Sequence, residues 1–135
     1  MPRILVVDDE RDVRAMMAIV LRVNHFEVTE AANTAAALAA FEQSSFDAAV
    51  VDIFLGGASG FDLIAAMRER VPDLPVVAVS GITTLELAAP PAEMSGVVCL
   101  QKPFRPNDLI AALACACGEC RHGDSGRVVA SRART

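Results

Sequence analysis

Asp8-Asp9-Glu10, Asp52, Ser80 and Lys102 are the residues of this 135-residue chain whose types suit chemistry on a metal ion or a phosphoryl group. Lys102 stands out first. It is the only lysine among twelve basic residues; the others are arginines. An ammonium is a compact point charge on a flexible stem and suits a narrow site where it meets single oxygens. A guanidinium is a wide fork suited to bidentate pairing. A compositional bias toward arginine that spared one lysine is the bland account, and Lys102 alone does not separate the two. Its companions share a feature of position, because each follows a short apolar run. Ile4-Leu5-Val6-Val7 leads into Asp8, Ala48-Ala49-Val50-Val51 into Asp52, Val76-Val77-Ala78-Val79 into Ser80, and Val97-Val98-Cys99-Leu100 into Gln101 and Lys102.

Those runs read as buried strands, and helical patterns lie between them. Val13, Met16, Met17, Val20 and Leu21 recur at helical spacing, and Glu27 to Ala31 is a weaker second strand. Asn33 is an N-cap for the Ala-rich stretch Thr34 to Gln43. Phe61, Leu63, Ile64 and Met67 stripe a helix ending near Val71, and Pro106 opens a last helix carrying Leu109, Ile110, Leu113 and Cys117. Strand and helix thus alternate five times, a (βα)5 pattern, which means an α/β fold with a parallel sheet covered on both faces. In such sheets ligands bind beyond the carboxyl ends of the strands. Asp8, Asp9, Asp52, Ser80 and Lys102 all fall on that edge. Taken singly, each also reads as an ordinary wet loop residue or helix start. Together, Asp8, Asp9 and Asp52 would repel without a cation. A hard divalent ion answers that, and Mg²⁺ takes only one or two protein carboxylates while keeping waters for phosphate oxygens. Lys102 neutralises a further oxygen and the Ser80 hydroxyl hydrogen-bonds another.

The length suits one domain able to bury a core without disulfides or structural metal. The chain is 53% hydrophobic, which excludes a disordered composition. No apolar run reaches the roughly 20 residues of a membrane span, and the start carries no signal-peptide core. Four cysteines without a secretory signal point to a cytoplasmic setting and free thiols. Residues 121–135 hold four arginines against Asp124, a net +3 that leaves −8 on residues 1–120 of the total −5. The expected organisation is therefore a domain over 1–120 and a basic, disordered tail over 121–135, too short to be a DNA-binding domain.

Taken together, Asp8-Asp9, Asp52-Ile53-Phe54-Leu55, Ser59-Gly60-Phe61-Asp62-Leu63, Ser80-Gly81 and Lys102-Pro103-Phe104 resemble the receiver domain of two-component response regulators over residues 3–118. The resemblance implies a doubly wound, flavodoxin-like fold with five parallel strands in the order 2-1-3-4-5. It implies that Asp52 is the phosphoacceptor, served by a sensor histidine kinase or a histidine phosphotransfer protein. Asp9, Asp52 and the Phe54 backbone carbonyl would ligate Mg²⁺ directly, with Asp8 acting through water. Lys102 would hold the phosphoryl group, Ser80 would be the switch, and the Lys102-Pro103 bond would be cis. Output would pass to a downstream protein partner, without a DNA-binding domain and without a membrane. The oligomeric state stays open, a homodimer included.

Departures from the family pattern fall around this set. Gly56-Gly57 stands where the family has proline, so a more mobile loop is expected. Cys99 takes the place of the switch aromatic, and Pro90-Pro91 interrupts the expected fourth helix. Without an aromatic at that position, the segment from Ile82 to Met94 is expected to carry the readout. Phe54 and Ile82 flank the path of a hydrolytic water, and their apolar bulk implies a long-lived phosphorylated form. Cys115, Cys117, Cys120 and His122 invite a zinc reading, but Cys115 and Cys117 sit at i and i+2 of a helix and face apart, so small apolar cysteines at a helix end fit better. The alternative function is an aspartyl-phosphate-forming phosphatase or phosphotransferase. Phosphatases of that kind want D-x-D after the first strand, where this chain has Asp8-Asp9-Glu10.

Overall fold

The structure, a computed structural model, describes residues 1–80 and 97–118. Its elements run β1 (Arg3–Val7), α1 (Arg11–Val23), β2 (Glu27–Ala31), α2 (Thr34–Gln43), β3 (Ala48–Asp52), β4 (Phe54–Leu55), β5 (Ala58–Ser59), α3 (Gly60–Arg70), β6 (Val76–Ser80), β7 (Val98–Gln101) and α4 (Pro106–Ala116). Five strands form one sheet in the order β2-β1-β3-β6-β7, every neighbouring pair parallel. With the short β4–β5 pair set aside, this is the expected order 2-1-3-4-5. The fourth helix expected near Pro90-Pro91, the Ile82–Met94 readout segment and the tail over 121–135 lie outside the described residues.

Strand alternation builds two cores, one on each face of the sheet. Leu5, Val7, Ala49, Val51 and Ala78 pack with Phe41 of α2 and with Leu63, Ile64 and Met67 of α3. Ile4, Val6, Val50, Val77 and Val79 pack with Met17 and Leu21 of α1 and with Leu109 and Leu113 of α4. Both faces are dry because successive side chains on a strand point to opposite sides, and both sides meet a helix. Each fully buried Leu, Ile or Val contributes about 1.5–3 kcal/mol relative to exposure. That burial fixes the strand ends, and with them the residues beyond.

Local signals set the helix starts. Asn33 Oδ1 accepts the Ala36 N–H at 2.8 Å, the expected N-cap of α2. Ser59 Oγ accepts the Phe61 N–H at 3.1 Å at the start of α3. Pro106 opens α4, where Asp108 reaches back to the Arg105 N–H at 3.1 Å.

One local expectation gains a geometry and one needs correction. Gly56-Gly57, where a more mobile loop is expected, has a defined place. It is the turn of a two-stranded antiparallel hairpin in which Phe54 pairs with Ser59 and Leu55 with Ala58. Both glycines have positive φ, 58° and 96°, as a two-residue hairpin turn demands. The free thiol expected of the cysteines holds for Cys99, but Cys115 is disulfide-bonded. Cys117 also leaves the apolar face of α4, where it is the exposed C-cap residue.

Candidate functional site

β1 continues past Val7 into Asp8, whose side chain turns inward and is fully buried, while Asp9 is exposed. The Asp8 N–H donates to Ala31 O at 3.2 Å, and Asp8 Oδ1 accepts the Glu10 N–H at 2.8 Å. One bond to β2 and one to the start of α1 therefore fix the turn that carries both acids. Asp52 ends β3 and is 4% exposed. The backbone beyond it is pinned, because Ile53 N–H donates to Val79 O at 2.8 Å and Phe54 N–H to Asp52 Oδ1 at 3.1 Å.

Lys102 closes the site from β7. Its backbone N–H donates to Ser80 O at 2.7 Å, and the Lys102-Pro103 bond is cis, as the resemblance implied. Its Nζ lies 3.2 Å from Asp8 Oδ2, 3.5 Å from Asp52 Oδ2 and 3.6 Å from Glu10 Oε1. One point charge serves three separate carboxylates in a confined space, a task a planar fork does not suit. Ser80 is buried at the end of β6, in register with Gln101. Cys99 is buried on β7 and packs in the core beneath α2 and α3.

Carboxylate oxygens of Asp8, Asp9 and Asp52 lie within 4.8 Å of one another. That donor set is three hard oxygens, two of them on buried residues, and it fits Mg²⁺ better than a soft metal. The electrostatics are those of a pocket short of positive charge. The Asp52 carboxyl is raised from 3.8 to about 6, first by burial and then by the charges of Asp8 and Asp9, against the lowering effects of the Phe54 N–H and Lys102. Burial pulls the Lys102 ammonium down, but Asp52 and Asp8 outweigh it and hold the group above its ordinary value. Burial pushes the Cys99 thiol up, so it is a packing group and not a reactive one.

Sequence reasoning placed Asp8, Asp9, Asp52, Ser80 and Lys102 on one edge, and the structure brings the four charged groups into contact range. It named Glu10 and Gly60 without a role and passed over Arg14: Glu10 joins the Lys102 cluster, and Arg14 Nη1 donates to Asp8 O at 2.9 Å. Gly60 is the first residue of α3 and donates its N–H to Ile53 O at 2.7 Å. A Cβ there would stand 2.2 Å from the Asp52 carbonyl oxygen and 2.8 Å from Ile53 Cα. The glycine is therefore what lets α3 seat against the backbone that carries Asp52. The sequence signal for this region was the Ser59-Gly60-Phe61-Asp62-Leu63 stretch, which carried the resemblance but no role for Gly60.

Gly60→Ala should lower stability by about 1–3 kcal/mol, since only backbone can yield. Gly57→Ala is the contrast. Its Cβ would meet nothing within 4 Å, so only the positive φ of 96° costs energy, about 1–2 kcal/mol. Urea midpoints decide stability, and the chemical shift of the Asp52 carboxyl carbon reports the site. Gly60→Ala should move that resonance and Gly57→Ala should leave it in place. An unmoved resonance in Gly60→Ala would remove the seating role.

Comparison with known proteins places this geometry. Residues 4–114 match the family described as the response regulator receiver domain. An NtrX-like response regulator of Rickettsia bellii is 33% identical over 116 residues, which cover 84% of this chain and 24% of that protein. The phosphate regulon transcriptional regulatory protein PhoB of Pseudomonas aeruginosa is 31% identical over 124 residues, 90% of this chain and 54% of that protein. Among solved structures, a response regulator receiver domain protein from Clostridium thermocellum matches with a TM-score of 0.78 at 26% identity, over 87% of this chain and 95% of its own. The chain thus spans about a quarter of the NtrX-like relative and about half of PhoB.

Proposed function

Because the chain belongs to the response regulator receiver domain family, we propose that it accepts a phosphoryl group on Asp52 from a histidine kinase or a histidine phosphotransfer protein, and that it signals or relays by protein contact. The observation that carries this reading is the single ammonium of Lys102 between Asp8, Glu10 and Asp52 at 3.2–3.6 Å. It is paired with carboxylates at rest and stands where a phosphoryl oxygen on Asp52 would need a cation. In the transfer, an Asp52 oxygen forms the new bond to phosphorus. The donor's nitrogen–phosphorus bond breaks, and its electron pair stays on the imidazole nitrogen.

Asp9 and Asp52 would hold Mg²⁺ directly, the Phe54 carbonyl would add a third ligand, and Asp8 would act through water. The bound ion supplies hard positive charge for the carboxylates and the phosphoryl oxygens. The chain's own groups do the rest. The Phe54 N–H orients the Asp52 carboxylate, Lys102 receives the transferred charge, and the buried Ser80 hydroxyl turns toward it as the switch. Cys99 lies buried where the family has an aromatic, which fits a readout that does not depend on an aromatic rotamer. Phe54, exposed on the hairpin, fits a water-excluding role; Ile82, its expected counterpart, lies outside the described residues.

Partners beyond the phosphodonor, and a cytoplasmic setting, belong to this proposal. Among the described residues no helix is long and apolar enough to cross a membrane. The reading makes the chain a phosphoacceptor and not a turnover enzyme. Its candidate nucleophile follows β3, and no observation favours the phosphatase alternative.

The test is incubation with a small phosphodonor, followed by intact-mass measurement. With Mg²⁺ the chain should gain one phosphoryl group, and with a chelator none. Asp9→Ala should lose both the reactivity and its dependence on metal. Uptake at the same rate in chelator, or in Asp9→Ala at wild-type rate, would sink the metal assignment.

A further inference from the structure

Arg14 lies early in α1 and is nearly enclosed, with its side chain 17% exposed. Its guanidinium spans two elements. Nη1 donates to the backbone carbonyl of Asp8 at 2.9 Å, and Nε donates to Glu30 Oε1 on β2 at 3.2 Å. Glu30 is itself held on its other oxygen by Arg22 Nη1 at 3.7 Å, so the anchor has a second tether. The carbonyl that Arg14 grips belongs to the peptide joining Asp8 to Asp9. On its other side, the Asp8 N–H is tied to Ala31 O at 3.2 Å. The peptide units on both sides of Asp8 are therefore fixed to β2, one directly and one through Arg14. The held peptide sits between a buried carboxylate and an exposed one.

We propose that Arg14, anchored by Glu30, is a positioning residue for Asp8 and Asp9 and thereby sets the affinity of the acidic pocket for a divalent cation. The inference rests on the reading of that pocket as a cation site. Partners that orient metal ligands matter because a carboxylate that wanders must be ordered again at every binding event. Asp9 is the exposed member of the cluster and has the most freedom to lose.

Positioning and bare charge predict opposite signs. A cation near the pocket repels a second cation, so if Arg14 acted only through its charge its removal would tighten binding. If it acts by holding the peptide, its removal loosens binding. Lysine separates the two further, since it keeps the charge but lacks the two separate donors, Nε and Nη1, that hold Glu30 and Asp8 O in one fixed fork.

The experiment is calorimetric titration of Mg²⁺ into the full chain at fixed ionic strength, with circular dichroism to confirm folding. Arg14→Ala should bind about tenfold more weakly, and Arg14→Lys about threefold. Wild-type affinity in Arg14→Lys, or affinity equal to or tighter than wild type in Arg14→Ala, overturns the proposal. Should Arg14→Ala fail to fold, Arg14→Lys decides alone. If the wild-type chain takes up no Mg²⁺ at all, the cation reading of the pocket falls, an outcome visible before any Arg14 variant is compared.

Discussion

Asp52→Asn should gain no phosphoryl group under conditions in which the wild-type chain gains one. The amide that replaces the carboxylate lacks the anionic oxygen that must form the bond to phosphorus. Little else changes, because an Asn Oδ1 still accepts the Phe54 N–H, whose 3.1 Å bond orients the wild-type side chain. The other acids near the site do not substitute. Asp8 is fully buried, and Asp9 sits on the exposed side of the cluster. Intact mass after incubation with Mg²⁺ and a small phosphodonor reads the result directly. Addition to Asp52→Asn at the wild-type rate would move the acceptor elsewhere. Lys102→Ala separates acceptor from helper. It keeps Asp52 but should react far more slowly, since no other cation stands within reach of that oxygen among the described residues.

The same substitution should make the metal-free protein more stable at neutral pH. The folded Asp52 carboxyl titrates at about 6 against 3.8 in an ordinary setting, with burial as the main cause. Well below pH 3.8 both folded and unfolded chains hold this proton, and Asp52 costs nothing. As pH rises toward 6, the unfolded chain gives the proton up first, so the folded state binds more protons and loses stability. Above 6 both are ionised and the loss is complete. A tenfold change in proton affinity is worth about 1.4 kcal/mol, which puts the total near 3 kcal/mol. The side chain is only 5% exposed, so solvent screening takes little from that figure. Asparagine carries no such charge. In chelator, Asp52→Asn should lie within about 0.5 kcal/mol of wild type at pH 4 and exceed it by about 2–3 kcal/mol at pH 7. Mg²⁺ should then narrow the gap, because a cation that binds only the folded wild type stabilises it. Urea unfolding at pH 4, 5, 6 and 7 gives the answer. A gap of equal size at pH 4 and pH 7 would show that the variant acts through packing and not through the buried charge.

These two results concern opposite sides of one design. The charge that would make Asp52 a phosphoacceptor is one that burial disfavours, and Lys102 offsets it only in part. A pocket built this way is expected to trade stability for reactivity.

What the sequence determined by itself was the frame. Four apolar runs, each four residues long and each ending in Asp8, Asp52, Ser80 or Gln101-Lys102, specify parallel strands whose polar ends must share an edge. That follows from connectivity, since each β-α-β crossover carries the chain back to the same end of the sheet and so makes the strands parallel. Asn33 and Pro106 marked helix starts because capping is a local matter of one side chain and one turn. The tertiary structure decided what adjacency in sequence leaves open. Asp8 and Asp9 are neighbours, yet one is buried and one exposed, because a chain leaving a strand still alternates between faces. The reach of Lys102 to Asp8 and Asp52 crosses 94 and 50 positions, and no local pattern encodes such a distance. That Gly56-Gly57 turns a hairpin is set by which residues pair across it. Arg14 carries no signature of its own, and Gly60 stood in a motif that did not show its role. Their roles come from a carbonyl oxygen 2.2 Å from an absent Cβ and a peptide held at 2.9 Å, contacts that exist only once β3, α3, β1 and α1 have packed.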